Sequence, residues 1–466
     1  MGVSGAAALA TFRLPASEAA QTGARNVLWV VDDDHPQYMM GSMPVTRRKI
    51  RNLGNEFTLG SADIPLCGPA RTSLLTGLSV TTHNCDTNRT WEQFRVSPLQ
   101  LQERTVARYL NDAGYATGHF GKYINGYGVN GTPPRYWDRW CATNGSGSES
   151  LTSNPANVDG TVIDVPDGLP LSVWAARRCA DFVRERQDSP WFAQYCPTIP
   201  HDPYNPTPSS EHLYDGARRR VPSVNEADMS DKPRWMRNLP LADTARIQHE
   251  YEGKLEELAD LDSKGIRPIL RALGATGQLA NTVIFFTSDN GYLHGEHRER
   301  KKDLPYWESA EVPFFVKGPG VRRGATRTAL VNHTDLMPTT CAIAGISSGL
   351  LDVDGRSMLS HLNADSFAGW RKRMLVSGSD DVGPQLGNPG GSNDPSGRWW
   401  LLREKDKAFI LRESGARELY WMGTDPYQVR SKARTADPAL IERLTNSVKA
   451  MREARGTRRR QLEEAP

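Results

Sequence analysis

The chain has 466 residues, of which 38% are hydrophobic and 24% charged, so it has the composition of an ordinary globular protein. This length suits two or three average domains, or one large α/β domain with an appendage. The formal net charge of +3 is too small to indicate a nucleic-acid partner. No apolar run reaches about 18 residues, so the sequence predicts no membrane span.

The N-terminal segment and the cysteines leave the cellular compartment open. Residues 5–10 and 16–20 are rich in small residues, as in part of an export signal, but no Lys or Arg precedes the apolar stretch. Residues 1–25 are therefore predicted to be a flexible segment or a signal remnant. The six cysteines show neither a C-x-x-C pair nor zinc-ligand spacing. A periplasmic, secreted or cytoplasmic location agrees equally well with these features.

Predicted strands and helices alternate along the first 360 residues or so. Residues 26–31 form a short apolar run that ends in three aspartates, which is typical of a fully buried parallel strand. The further predicted elements are a helix at 97–113, a strand at 191–196, a long amphipathic helix at 246–273, and strands at 282–287 and 313–317. This alternation predicts a doubly wound α/β sheet.

The last hundred residues have a different pattern. Residues 383–396 are rich in Gly, Pro and Asn and are predicted to form a loop. Short β-like runs at 399–402, 409–411 and 418–421 predict a small antiparallel sheet, closed by a helix at 439–454. A basic tail follows, made up of Arg452, Arg455, Arg458, Arg459 and Arg460. Because Glu463 and Glu464 come directly after it, this tail is predicted to be a solvated helix end.

Residues 67–77 are the most informative stretch and read Cys-Gly-Pro-Ala-Arg-Thr-Ser-Leu-Leu-Thr-Gly. The spacing Cys-x-Pro-x-Arg, followed by Leu-Leu-Thr-Gly, resembles the signature of the type I sulfatases. Taken alone, Cys-x-Pro-x-Arg also agrees with a buried cysteine before a capped helix. The rest of the chain therefore has to distinguish the two interpretations.

Further motifs of that family follow in the family's order. Residues 114–122 resemble its second signature, G-Y-x-T-x-x-x-G-K, and residues 197–201 and 289–297 resemble later motifs. The chain is thus identified as a member of the sulfatase family, closest in motif style to the N-acetylglucosamine-6-sulfatase branch. The resemblance implies an alkaline-phosphatase-like fold: a large mixed sheet sandwiched by helices, with a small C-terminal antiparallel sheet plus helix. The catalytic domain would span 26–362 and the C-terminal subdomain 363–466.

Two acidic clusters follow predicted strands. Asp32, Asp33 and Asp34 close the first strand, and Asp289 and Asn290 close the strand that begins at residue 282. Ligands in open α/β sheets bind beyond the carboxyl ends of strands. Oxygen donors without His suit Ca²⁺ or Mg²⁺ rather than zinc. The family's spacing, counted from Asn26, assigns Asp33 and Asp34 as the ligands and leaves Asp32 at a variable position.

The resemblance also implies a role for single residues. Cys67 would be oxidised by a formylglycine-generating enzyme to Cα-formylglycine, whose hydrate attacks sulfur and also faces the metal. Arg71 would hold its hydroxyl and contact the metal-bound carboxylates. Lys122 and Lys302 would grip the sulfate oxygens, with Lys301 as a stand-in for Lys302. His201 would bind sulfate or protonate the leaving oxygen.

One position departs from the family's usual pattern. Many sulfatases carry a histidine two residues after the lysine of the second signature, whereas Ile124 stands there in this chain. Asn125 or His119 would be its substitute in activating the aldehyde hydrate. His297 is expected at the rim of the site.

Two other functions agree with the same motifs. One is a phosphate mono- or diester or phosphonate ester hydrolase of the same superfamily, although two-metal sites normally need additional His and Asp ligands. The other is a protein that binds sulfated glycans with an unconverted Cys67. Substrate choice would lie in loops 126–165 and 202–245.

Overall fold

The computed structural model describes residues 25–144, 154–166, 168–378 and 397–465. The predicted N-terminal segment, up to residue 24, and the predicted loop 383–396 lie outside these residues. Within the described ranges, no helix has the length and apolarity needed to cross a membrane. All six cysteines are described, and each is a buried free thiol.

The strands belong to one large sheet, one small sheet and one hairpin. In chain order they are β1 Asn26–Asp32, β2 Asn55–Ser61, β3 Ala116–Gly121, β4 Arg139–Thr143, β5 Asn154–Val158, β6 Thr161–Val165, β7 Trp191–Cys196, β8 Thr282–Ser288, β9 Leu293–His294, β10 Arg300–Lys301, β11 Phe314–Lys317, β12 Ala325–Asn332, β13 Arg373–Ser377, β14 Trp399–Glu404, β15 Lys407–Arg412 and β16 Arg417–Trp421. The large sheet has ten strands in the order β12-β2-β11-β8-β1-β7-β3-β4-β5-β6, and β9 pairs with β10.

Helices cover the large sheet and close the C-terminal region. They are Pro44–Lys49, Cys67–Thr76, Val80–His83, Thr90–Val96, Val106–Asp112, Leu171–Glu185, Thr244–Asp260, Arg267–Ala275, Trp307–Ala310, Leu336–Ile343, Pro438–Glu453 and Gly456–Glu464. A π-helical turn, Leu261–Ile266, joins Thr244–Asp260 to Arg267–Ala275, so the long helix predicted at 246–273 is continuous.

Both faces of the large sheet are buried, as the apolar run of β1 predicts. Val27, Trp29 and Val31 pack into one hydrophobic core, while Leu28 and Val30 pack into the core on the opposite face. This alternation follows from the two-residue period of a strand. Helices therefore cover the sheet on both sides, which is the doubly wound arrangement predicted from the sequence.

The centre of the large sheet is parallel and directs four strand ends to one edge. β1 pairs in parallel with β7 and β8, and β3 pairs in parallel with β7. The register of β1 and β8 sets Asp32 opposite Ser288. The residues that follow these two strands must therefore be neighbours, and the segments after β3 and β7 emerge at the same edge.

The C-terminal region forms a second sheet, in the order β13-β14-β15-β16, with antiparallel neighbours. One face of this sheet packs through Trp399 and Ile410 into a core that includes Leu304 and Leu330. The other face packs against the helix Pro438–Glu453 through Phe409 and Leu419. The small antiparallel sheet plus helix is thus present as predicted.

Two sequence predictions were wrong in detail. The helix predicted at 97–113 spans only Val106–Asp112, because Thr105 is extended and its side chain caps that helix by accepting a hydrogen bond from the Arg108 amide. The basic tail is only partly a solvated helix end, because Arg455 and Arg458 are exposed whereas Arg459 is buried. Arg459 is only 2% exposed and lies 3.9 Å from Asp63 and 3.8 Å from Glu463, so this part of the tail is buried within a network of charges.

Candidate active site

The segment that carries Cys67 enters a buried helix at the edge of the sheet. Cys67 is the first residue of the helix Cys67–Thr76, and Arg71 lies one turn later on the same face. Gly68 is required by packing, because a Cβ there would lie 2.0 Å from Thr90 Oγ1. The helix ends at Gly77, whose φ of +68° suits glycine. The motif thus places a thiol and a guanidinium side by side.

Four acidic or thiol side chains converge beside this helix. Asp33, Asp34, Cys67 and Asp289 each offer one ligand atom, and these atoms lie within 4.8 Å of one another in a fully buried cluster. Cys67 Sγ is 3.6 Å from Asp33 Oδ1 and 4.0 Å from Asp34 Oδ1. Asp32 is not part of the cluster, because its Oδ2 lies 2.7 Å from His35 Nδ1. The side chains therefore follow the register expected from Asn26.

Asn290 lies beside this cluster. Its Nδ2 donates hydrogen bonds of 2.7 Å to Asp34 Oδ1 and 2.8 Å to the Gly291 carbonyl. Its Oδ1 is buried and has no hydrogen-bond partner. A buried amide oxygen without a donor is costly in a folded protein. This oxygen and three clustered carboxylates fit a hard divalent cation such as Ca²⁺ or Mg²⁺.

The backbone at Asp34 is held in an unusual conformation. Its φ is +63°, in the left-handed region that non-glycine residues adopt at a cost. The amide donates a 3.2 Å hydrogen bond to Asp289 Oδ1, and the carbonyl accepts a 3.1 Å hydrogen bond from Lys254 Nζ. These two contacts orient the Asp34 carboxylate towards the cluster.

Three cationic side chains surround the carboxylates. Lys122 follows β3, and its Nζ lies 2.5 Å from Asp33 Oδ2. Arg71 Nε donates to Asp289 Oδ2 at 2.9 Å, and its Nη1 donates to the Lys122 carbonyl at 3.0 Å. Lys302 Nζ lies 2.6 Å from Cys67 Sγ and also contacts Asp34 Oδ1.

Lys301 does not reach this site. Its Nζ lies 3.9 Å from Asp202 Oδ2, and its side chain is 30% exposed. Lys302, rather than Lys301, is therefore the lysine of this loop that contacts the cluster.

These charges control the protonation of the cluster. Burial would raise the pKa of Asp33, but Lys122, His201 and Arg71 outweigh it and hold that pKa below its usual value. Burial raises the pKa of the Cys67 thiol to about 12, against the opposing effect of the nearby lysines. An unmodified Cys67 is therefore a neutral thiol near pH 7 and a weak nucleophile.

His201 lies at the opening of the site. It follows β7, and its Nε2 is 3.8 Å from Asp34 Oδ2 while its Nδ1 is 2.6 Å from the Asp202 carbonyl. Its side chain is 20% exposed, compared with 0% for Lys122 and 11% for Lys302. A group bound at the cluster would therefore meet His201 on the solvent side.

Two histidines named from the sequence lie elsewhere. His119 is buried on β3, where its ring stacks on Trp140 at 4.7 Å and its Nε2 lies 3.1 Å from the Gly121 carbonyl. His297 was expected at the rim but is fully buried, with its Nδ1 2.6 Å from Glu226 Oε2. The reason is packing, since the His297 ring stacks on Tyr306 at 3.8 Å.

Asn125 lies close to the helix Cys67–Thr76. Its Cβ would be 3.1 Å from a Cβ added at Gly68, and its Oδ1 is buried without a hydrogen-bond partner. Asn125 and His119 were the two predicted replacements for the histidine that is absent at position 124. Of these two, only Asn125 packs against Gly68, the residue next to Cys67.

Sequence reasoning missed Lys254, which is fully buried in the helix Thr244–Asp260. Its Nζ donates to the carbonyls of Asp34 and Pro200, at 3.1 and 2.7 Å. A signal did exist, because Lys254 falls seven residues after Ile247, inside the apolar stripe of an amphipathic helix.

The chain resembles a known protein family and several curated proteins. The family model described as Sulfatase matches residues 25–346. A Caenorhabditis elegans homolog of the extracellular sulfatase Sulf-1 is 29% identical over 379 residues, which cover 75% of this chain and 52% of that protein. The N-acetylglucosamine-6-sulfatase of Capra hircus is 26% identical over 468 residues, which cover 90% of this chain and 82% of that protein. The chain thus spans about half the length of the first of these curated relatives.

Solved structures share the fold. One was determined in complex with its substrate D-glucosamine-2-N,6-O-disulfate; it has a TM-score of 0.74 and 20% identity, and the match covers 91% of this chain and 97% of that one. A phosphonate monoester hydrolase from Silicibacter pomeroyi has a TM-score of 0.70 and 19% identity, with 93% and 99% covered. At 20% and 19% identity these likenesses show the fold alone. They do not distinguish hydrolysis of a sulfate ester from hydrolysis of a phosphonate ester. The predicted alkaline-phosphatase-like architecture is confirmed, and the match of the family model to more than half of the chain shows that it belongs to the sulfatase family.

Proposed function

We propose that the protein hydrolyses a sulfate monoester, with Cys67 converted to formylglycine and with Ca²⁺, or Mg²⁺, held by Asp33, Asp34, Asp289 and Asn290. One observation carries the proposal. The Cys67 sulfur lies 2.6 Å from the ammonium of Lys302 and 3.6 and 4.0 Å from carboxylate oxygens of Asp33 and Asp34. A nucleophile at this position would attack an anion held by cationic groups.

The cofactors supply two kinds of chemistry when present: the cation acts as a Lewis acid on a sulfate oxygen, and formylglycine supplies a hydroxyl nucleophile that can later release sulfate. The chain's own residues orient the reacting groups and neutralise negative charge. Arg71 is fixed by Asp289 and by the Lys122 carbonyl, so its guanidinium stays beside position 67. Lys122 and Lys302 bring positive charge to the point where negative charge develops during transfer.

His201 is suited to the leaving group. It lies on the exposed side of the cluster, and its Nδ1 is engaged with the Asp202 carbonyl, which leaves Nε2 facing the site. Because Nδ1–H donates to the Asp202 carbonyl, Nε2 gives a proton to the departing alkoxide oxygen only when the ring is an imidazolium. Burial lowers the pKa of His201, against the opposing charges of Asp34 and Asp33. Such a proton would matter most for a sugar, whose alcohol is a poor leaving group.

The charge of the site favours sulfate over a phosphate monoester. In the described part of the chain, three groups of side chains are close enough to share an ion; two of them include Asp33 and Cys67, and the third is Asp34, His201 and Asp202. Because His201 faces the leaving group in this proposal, the third group is not assigned a second ion. A fully ionised phosphate monoester carries one more negative charge than a sulfate monoester, and enzymes that hydrolyse it commonly use two metals. One divalent cation together with Arg71, Lys122 and Lys302 matches the smaller negative charge of a sulfate monoester.

We further propose a carbohydrate sulfate as substrate, with aryl sulfates as alternative substrates. The support is the likeness to an N-acetylglucosamine-6-sulfatase over most of both chains, and the disulfated glucosamine bound as substrate in a protein of the same fold. Maturation would require a formylglycine-generating enzyme as a partner.

The test combines peptide mass spectrometry with a substrate panel. Protein produced with a formylglycine-generating enzyme should carry a Cys67 peptide lighter by about one water, unlike thiol oxidation, which adds mass. It should release sulfate from glucosamine 6-sulfate faster than it cleaves a phosphodiester or phosphonate ester. Cys67→Ala should lower turnover by at least about 10³-fold. Cys179→Ala, at a buried cysteine away from the site, should keep its activity.

Three results would contradict the proposal. Full activity with only unmodified cysteine at position 67 would remove the formylglycine mechanism. Faster turnover of a phosphonate or phosphodiester than of every sulfate would assign the enzyme to the alternative reaction. Tight binding of sulfated glycans without hydrolysis by converted protein would make it a glycan-binding protein.

A further inference from the structure

Lys302 lies in a strained loop. Residues 295–306, called the Lys302 loop below, run from the end of β9 through β10 to the helix Trp307–Ala310. Within it His297, Arg298, Lys301 and Asp303 have φ values of +53°, +64°, +75° and +64°. Such conformations cost energy in non-glycine residues and persist only where surrounding contacts impose them. Lys301 and Asp303 flank Lys302, so contacts with other residues must stabilise the backbone on both sides of Lys302.

The C-terminal sheet provides direct contacts to this loop. Trp399 Nε1, at the start of β14, donates a 3.3 Å hydrogen bond to the carbonyl of Asp303, the residue after Lys302. Tyr306 OH donates a 3.2 Å hydrogen bond to Glu418 Oε2 on β16. One residue beyond the loop, the Trp307 amide donates a 2.6 Å hydrogen bond to Gln428 Oε1.

A second set of contacts joins the start of the loop to its end. The His297 ring stacks on the Tyr306 ring at 3.8 Å, and His297 Nδ1 lies 2.6 Å from Glu226 Oε2. Lys232 Nζ lies 3.3 Å from Glu226 Oε1 and donates to the hydroxyl of Tyr420, on β16, at 3.2 Å. All of these side chains are buried. The two ends of the loop are therefore fastened to the same strand.

The sequence of β16 fits this arrangement. Glu418 and Tyr420 point from one face of the strand towards the loop, and the intervening Leu419 points to the core beneath the helix Pro438–Glu453. This alternation is the two-residue period of a strand. The Glu-Leu-Tyr segment thus joins the C-terminal sheet to its own helix on one side and to the Lys302 loop on the other.

We propose that the C-terminal sheet is a positioning element of the catalytic site, in which Trp399 and the Glu418–Tyr306 pair hold the Lys302 loop so that Lys302 Nζ reaches position 67. The proposal rests on the proposed function, since it assumes that Lys302 acts in sulfate transfer. Tyr306, Trp399 and Glu418 are positioning residues, because each acts through the loop backbone and touches no reacting atom.

The experiment is a kinetic double-mutant cycle with Lys302. Tyr306→Phe removes one hydroxyl and keeps the ring that stacks on His297, and Trp399→Phe removes the indole donor. Each is made in the wild type and in Lys302→Ala, and kcat/KM is measured with an activated aryl sulfate. Tyr115→Phe is the matched control, because it removes a buried hydroxyl that donates to the Arg25 carbonyl at the opposite edge of the sheet.

The losses in kcat/KM are expected to be non-additive between Lys302→Ala and the loop-contact variants. Lys302→Ala should lower kcat/KM by about 10²- to 10³-fold, the loss typical of one donor to a developing charge. Tyr306→Phe and Trp399→Phe should each lower it by about tenfold in the wild type, and by less than about twofold in Lys302→Ala, because coupled residues do not add. Tyr115→Phe should have little effect in either background.

Several outcomes would overturn the inference. Equal losses in both backgrounds, or none in the wild type, would show that the loop contacts do not act through Lys302. Where the double variants fall below detection, a crystal structure of Tyr306→Phe decides: Lys302 Nζ moved away from position 67 supports the proposal, and an unmoved Nζ contradicts it. Undiminished activity of Lys302→Ala is a different failure, since it would remove Lys302 from the proposed mechanism itself.

Discussion

The ammonium of Lys254 donates a 3.1 Å hydrogen bond to the carbonyl oxygen of Asp34. The same ammonium donates to the carbonyl of Pro200 at 2.7 Å, and thus links the end of β1 to the segment that carries His201. Lys254 is fully buried and lies 4.1 Å from the ring centroid of Tyr292. One side chain from a distant helix therefore holds two parts of the candidate site together.

Replacing Lys254 by Met should disturb the site while keeping most of the side-chain volume. The two carbonyls lose their donor, and a buried group left unsatisfied costs about 1–3 kcal/mol. We expect a lower melting temperature and a fall in kcat/KM of at least about tenfold, because a small misplacement of catalytic groups is costly. Lys449→Met, at an exposed lysine, is the control. An unchanged kcat/KM in Lys254→Met would show that the ammonium does not position the site.

Asp32 and Asp33 should separate stability from metal binding. Asp33→Asn removes a carboxylate of the cluster, so the variant should no longer hold one cation per chain. Asp32→Asn should keep the cation but unfold at a lower temperature, because His35 loses a buried carboxylate partner at 2.7 Å. Elemental analysis of dialysed protein and thermal unfolding measure the two effects. A reversed pattern, with the cation lost only in Asp32→Asn, would shift the ligand register by one residue.

His201→Ala should affect two substrates unequally. If Nε2 protonates the leaving oxygen, a sugar sulfate should lose about 10²-fold or more in kcat, the usual size of general acid catalysis. An activated aryl sulfate needs little protonation and should lose much less. The ratio of the two losses is the measurement, with unmodified enzyme assayed in parallel. Equal losses would instead assign His201 to sulfate binding.

Asp63 should make stability depend on pH. Burial raises its pKa from 3.8 to about 6, against the opposing charge of Arg459 and the hydrogen bond from the Val80 amide. Because the folded chain binds this proton more tightly than the unfolded chain, the stabilisation is complete below the unfolded pKa and is lost as the pH rises through the folded pKa.

The expected difference is measurable by comparison with Asp63→Asn, which does not titrate. Between about pH 4 and about pH 7 the wild type should lose about 2 kcal/mol of unfolding free energy relative to the variant, since each pKa unit is worth about 1.4 kcal/mol and the unfolded carboxyl is already partly ionised at pH 4. Denaturant unfolding of both proteins at the two pH values measures it. Parallel pH curves would show that the Asp63 carboxyl is not perturbed in this way.

The residues of the cluster were accessible from the sequence because they stand in motifs that resemble the sulfatase signatures. The spacing of Asn26, Asp33 and Asp34 follows from one strand, and the pair Cys67 and Arg71 follows from one helical turn. Parallel strands then bring these ends to one edge of the sheet, with Asp32 opposite Ser288 in the β1–β8 register. The resemblance to the sulfatase signatures selected Asp33, Asp34, Cys67 and Arg71 in the sequence, and sheet topology explains why they lie together.

Other features depended on contacts between distant segments. Lys254, the burial of His297, the salt-bridged Arg459 and the contact of β16 with the Lys302 loop each join residues far apart in the chain. A charged side chain reads as solvent-exposed in a sequence unless its partner is known, because burial of a charge is tolerated only where partners compensate it. The sequence by itself determined several strands, among them β1, β7 and β8, together with the family signature and the acidic cluster, whereas the tertiary structure alone decided which charged residues are buried and what they hold in place.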